Sequence, residues 1–126
     1  MMSDTSADVL IASAAPDVRE LANRTRELVR SALPDDVVET VDGNDIGFGW
    51  STGYTGLICV ISVYSRWVNL GVVDGIDLPD PQRLLQGSGR RHRYVRITRP
   101  SDLDQPGLLE LLAAASARAS RPRADR

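Results

Sequence analysis

The hydrophobic period of this chain changes at Pro34, and that change limits the folds open to it. Before it, Val18, Leu21, Ala22, Thr25, Leu28, Val29, Ala32 and Leu33 recur at helical spacing and form one apolar stripe. Arg19, Glu20, Asn23, Arg24, Arg26, Glu27 and Arg30 take the other faces, and Glu20 with Arg24 has the spacing of a solvated ion pair. Pro16 can open such a helix without losing a hydrogen bond, and Pro34 ends it. A shorter helical pattern covers 8–14.

After Pro34 the period is two. Residues 37–41 read as a strand, and Asp42, Gly43, Asn44 and Asp45 as a turn. In the next strand Ile46, Phe48 and Trp50 share one face, and Gly47 and Gly49 leave the other bare, which points to a bulge or the close approach of another backbone or ligand. Residues 57–64 are continuously apolar, as in a central strand, and 67–73 follow as its neighbour. Asp80 and Pro81 open a single helical turn to Leu85. In 93–99, Val95 and Ile97 alternate with Tyr94 and Arg96, so the first pair enters the core and the second faces out. Asp104 is placed to cap a last helix whose Leu108, Leu109, Leu111, Leu112 and Ala115 cover the sheet.

This order predicts an α+β fold: N-terminal helices, a mainly antiparallel sheet of about five strands, a short helix before the last strand, and a C-terminal helix packed on the sheet. The length of 126 residues suits one domain, expected over 8–119, with 1–7 and 120–126 as disordered tails. A single cysteine, Cys59, excludes an intramolecular disulfide and a cysteine-built zinc or iron–sulfur site. No apolar run approaches the roughly 20 residues of a membrane span, and no cationic leader precedes the first apolar residues, so a cytoplasmic location and no membrane partner are expected.

Charge is divided along the chain. Residues 1–63 hold ten acids and four arginines, and 64–126 hold seven acids and eleven arginines, with no lysine anywhere. The cationic half centres on 84–97, where Gly87, Ser88 and Gly89 precede Arg90, Arg91 and Arg93. Glycines that uncover backbone N–H groups, followed by guanidinium forks, suit a carboxylate or phosphate. The ligand-binding candidates are therefore Gly87, Ser88, Gly89, Arg90, Arg91, Arg93, Arg96 and Tyr94, with Trp67, and the ligand is a small anion or an acidic protein surface. Within the turn, Gly87 and Gly89 are both expected to serve backbone geometry, with positive φ open to each, and a carboxylate is expected to hold Arg90 or Arg93, leaving Arg91 for ligand. Trp50, Tyr64, Trp67 and Tyr94 are candidates to line one concave face.

Other chemistries lack their parts. Ser88 has neither the nucleophile-elbow spacing nor an acid–histidine pair, and the glycine turn precedes a strand where a dinucleotide site must open a helix. His92, the sole histidine, has no metal-ligand partner at suitable spacing, and Cys59 reads as a buried hydrophobe. Aromatic interleaving is limited to Tyr94, which disfavours nucleic acid. No catalytic residue is assigned, and the chain is read as a non-enzyme.

Leu78, Pro79, Asp80 and Pro81, then Leu84, Leu85, Gln86, Gly87, Ser88, Gly89 and Arg90, then Arg93, Tyr94, Val95, Arg96 and Ile97, form a series that resembles the signature of the YdhG-like family. These are small bacterial domains of largely unknown function, whose best-described member acts as a frataxin-like iron chaperone. The resemblance runs over about 8–119. It implies a non-enzymatic iron-binding role with delivery to a receiving protein. Weakly bound ferrous iron would then sit on oxygen ligands in the acidic half, with Asp35, Asp36 and Glu39 as the candidates. Gln86 stands where the family usually has glutamate, Tyr94 where it usually has histidine, and Trp67 where histidine is frequent.

Overall fold

The computed structural model describes residues 6–53 and 55–119. Helices α1 (Ser6–Ala12) and α2 (Pro16–Ala32) lead into strands β1 (Val38–Asp42), β2 (Asp45–Gly49), β3 (Leu57–Val63), β4 (Val68–Val72) and β5 (Arg93–Ile97), and helix α3 (Leu108–Arg118) closes the fold. The five strands form one antiparallel sheet in sequence order. This is the α+β class expected, with helices before the sheet and a helix after it.

Alternation decides which face is covered. Cross-strand pairs Ile46 with Ile61, Ile61 with Leu70, and Leu70 with Val95 form a row whose members are all buried. Phe48, Cys59 and Val72 form the next row, and Val63, Val68 and Ile97 the row on the other side. Val18, Leu21, Ala22 and Val29 of α2, with Leu108, Leu112 and Ala115 of α3, join these residues in one core. Each fully buried aliphatic side chain contributes about 1.5–3 kcal/mol, so this layer supplies most of the driving force. Thr25 enters the apolar stripe of α2 because its hydroxyl donates to the Leu21 carbonyl at 2.7 Å.

The glycines of β2 act as expected. A bulge between Phe48 and Gly49 lets the consecutive residues Ile58 and Cys59 both be fully buried, and a Cβ on Gly49 would sit 2.9 Å from the Gly56 carbonyl oxygen and the Leu57 Cα.

Several local expectations are corrected. Residues 80–85 are not helical: the Asp80 carboxylate accepts the N–H groups of Leu84 and Leu85, and Arg83 stands at φ 54°. The short helix before β5 is instead a 3-10 turn at Gly75–Asp77. A second one spans Pro100–Asp104, so Asp104 does not cap α3, whose preceding residue is Gly107 at φ 91°. Ser6 and Ala7 belong to α1, and Ala7 is buried. The expectation of disorder in the remaining terminal residues lies outside the described residues.

Candidate functional site on the open sheet face

The second face of the sheet carries none of the three helices. Across it, register aligns Asp42, Asp45, Ser62, Asn69 and Arg96 in one row, and Thr40, Gly47, Val60, Gly71 and Tyr94 in the next. The upper row therefore runs from carboxylates at the β1 edge to a guanidinium at the β5 edge. The Ser62 hydroxyl donates to Asp45 at 2.6 Å, which links two of its members.

Arg96 is exposed, and its guanidinium carbon lies 4.5 Å from the centroid of Trp67 and 5.9 Å from that of Tyr94. Trp67 packs in turn on Tyr64, with ring centroids 5.5 Å apart. Alternation puts Tyr94 and Arg96 on this face, and the β3–β4 hairpin brings the two aromatics beside them. Stacking holds a guanidinium by its planar faces and leaves its N–H edges to outside acceptors. Among the described residues Arg96 has no carboxylate partner. Two polar atoms beside it, Trp67 Nε1 and Asn69 Oδ1, are buried without a hydrogen-bond partner among the described residues. Of the four aromatics expected on one concave face, Tyr64, Trp67 and Tyr94 are together, whereas Trp50 packs against the core.

The glycine turn meets its backbone expectation at one of its two glycines and departs from the expected arginine pairing. Gly87, not Gly89, has positive φ, at 111°, and a Cβ there would meet the Tyr94 ring at 3.1 Å. Gln86 and Tyr94 exchange backbone hydrogen bonds of 2.7 and 3.1 Å, which fasten the turn to β5. Arg93 Nη1 donates to the carbonyls of Gly89 and His92, so carbonyls and not a carboxylate hold it. The carboxylate-bound arginine is Arg91, whose Nε donates to Asp74 at 2.6 Å, and this contact holds the Asp74 carboxyl below its ordinary range. Ser88 and Arg90 are exposed, and the exposed His92 accepts the Asp74 N–H at its Nδ1. Arg91 is thus committed to Asp74 and Arg93 to backbone carbonyls, whereas Arg90 and Arg96 have no carboxylate partner among the described residues.

Of the candidate iron ligands, Asp35 and Glu39 line one groove beside Leu33 and Pro34, but Glu39 is engaged elsewhere. Glu39 faces the helices, where Arg26 donates to it from Nε at 2.9 Å and from Nη2 at 2.7 Å, and Arg30 adds a contact at 3.1 Å. Asp35 and Asp36 are exposed. Among the described residues, no group of three or more His, Cys, Asp or Glu side chains could hold a metal ion. Arg26, assigned from the sequence to an outer face of α2, is 7% exposed and also reaches Asp8 at 2.6 Å. Its hydrogen bonds to Glu39 raise its pKa further, against the lowering effect of burial.

Cys59 is fully buried, and desolvation pushes its thiol up to about 12. At neutral pH it is a thiol inside the core. Among the described residues, no helix is long and apolar enough to cross a membrane. Compared with known protein families, curated proteins and solved structures, the chain matches none.

Proposed function

We propose that this chain is a non-catalytic binding module whose open sheet face receives an acidic group of a protein partner, carboxylate against the Arg96 guanidinium. The observation that carries the reading is that Arg96 is stacked on Trp67 and Tyr94 and has no carboxylate partner among the described residues. A preorganised fork loses little freedom on binding, and partial screening by the rings raises the value of each charge-assisted hydrogen bond. The reading keeps the chemistry expected of the 87–93 turn and moves its centre to the adjoining strand.

Calorimetry with an oligoglutamate peptide at low salt tests it. Heat is expected with wild type and with Arg90→Gln, and its loss with Arg96→Gln. Equal heats in wild type and Arg96→Gln would overturn the reading. Iron delivery rests on the family resemblance alone, since Glu39 would have to leave Arg26 and Arg30 to reach a ferrous ion. Anaerobic calorimetry with ferrous iron would restore that reading if heat appeared in wild type and vanished when Asp35, Asp36 and Glu39 were replaced by asparagine and glutamine.

A further inference from the structure

We infer that the acidic partner of the open face is a second copy of this chain, stacked face to face about a two-fold axis along β3; this rests on the reading of that face as the binding surface. Such an axis lays β5 of one copy over β1 of the other and β4 over β2. The row ending in Arg96 then meets its own opposite end, so Arg96 faces Asp42 of the second copy and Asn69 faces Asp45. In the next row Tyr94 faces Thr40, Gly71 faces Gly47, and Val60 meets itself. The large Tyr94 thus meets the smaller Thr40, the two glycines meet each other, and the cationic end meets the acidic one, as a self-complementary surface requires.

The acidic end also has a shape suited to receive the cationic one. Thr40, Asp42, Asp45, Gly47, Leu57 and Val60 line a groove of about 370 Å³, walled on one side by Thr52 and Gly53 of the β2–β3 connection. Arg96 and Tyr94 of the second copy are the exposed cation and the ring that this axis brings over it. Asp42 is exposed at the strand end, and Asp45 has one oxygen bonded to Ser62 and another available. The amide of Asn69, whose Oδ1 has no partner among the described residues, can turn its N–H₂ toward Asp45 of the second copy.

Size sets the strength. The sheet has five strands, and strands about 4.8 Å apart with five residues rising about 3.3 Å each give roughly 400 Å² of flat face per copy. Over both copies that is about 800 Å², below the roughly 1,000 Å² of a stable interface, so the dimer is weak, reversible and sensitive to salt.

Sedimentation velocity of the full chain from micromolar to submillimolar concentration is the test. Wild type is expected to shift from monomer to dimer as concentration rises, and to shift back with added salt. Arg96→Asp and Asp42→Arg, both exposed positions outside the core, should each weaken self-association at least tenfold. An equimolar mixture of these two variants should dimerise again, because each contact then pairs opposite charges. Circular dichroism of each variant separates lost association from lost folding, and Arg96→Gln serves if Arg96→Asp does not fold. A wild type that stays monomeric throughout, or a mixture no more associated than its components, overturns the inference. Oligoglutamate heat that depends on Arg96 in a monomeric wild type would sink the pairing alone. Heat indifferent to Arg96→Gln would instead remove the reading beneath it.

Discussion

Arg26 and Glu39, thirteen residues apart, form a two-pronged ion pair that ties α2 to β1 on the covered face of the sheet. The side chains are 8% and 18% exposed, so the pair is screened far less than Arg24 with Glu20, which are more than half exposed. Removing Arg26 leaves the Glu39 carboxylate with too few donors inside the fold. Arg26→Ala is expected to cost about 3 kcal/mol in urea unfolding, and Arg24→Ala about 0.5 kcal/mol or less. Equal costs for the two would show that the α2–β1 junction does not depend on this pair.

Gly87→Ala is expected to destabilise the protein by about 1 kcal/mol or more, because alanine resists positive φ and its Cβ presses on the Tyr94 ring. Gly89 has no positive φ, and a Cβ there meets only the His92 carbonyl at 3.3 Å, so Gly89→Ala should melt closer to wild type. Thermal melts of the two variants rank them, and a larger loss at Gly89 would contradict the loop geometry.

The gross fold could be read from the sequence because it depends on period. The change at Pro34 separates α2 from the sheet, and the alternation of 93–97 places Val95 inward and Arg96 outward, as found. The bare face of β2 announced the bulge at Gly49. Pairing is another matter, because period does not encode it: Arg26 looked like one more charge on a helix surface until β1 brought Glu39 against it. The helical turn at 80–85 failed because the Asp80 carboxylate satisfies the N–H groups of Leu84 and Leu85 without a helix. Within the candidate site, Trp67, Tyr94 and Arg96 were identifiable as residues. Their stacking, and the internal commitment of Arg91 and Arg93, depend on contacts across the β3–β4 hairpin and the 74–93 connection.

Asp102 contributes to the acid limb of stability. Burial raises its pKa, but the N–H and hydroxyl of Thr98 and the N–H of Arg99 outweigh that effect, and the carboxyl ends below its ordinary range. A depressed folded-state value gives stability that is present above the unfolded carboxyl pKa of about 4 and is lost as pH falls through the folded value. Melting temperature followed from neutral pH down to this range should therefore decline less for Asp102→Asn than for wild type. Parallel acid limbs would show that this carboxylate adds nothing.

Cys59 should resist a thiol-reactive disulfide reagent in the folded protein and react fully once the chain is unfolded in denaturant, since burial holds it as a thiol. Rapid labelling under native conditions would show that the centre of β3 opens to solvent.

Arg96, and not the neighbouring turn, is the cation proposed to meet an acidic partner. Arginine Nε–Hε resonances, assigned by single substitutions and followed by NMR during titration with oligoglutamate, address it side chain by side chain. The Arg96 signal, already displaced by the Trp67 and Tyr94 rings, is expected to move progressively and saturably, while those of Arg26 and Arg91 stay in place. Movement of the Arg90 and Arg93 signals with Arg96 unchanged would contradict the account and return the site to the glycine turn.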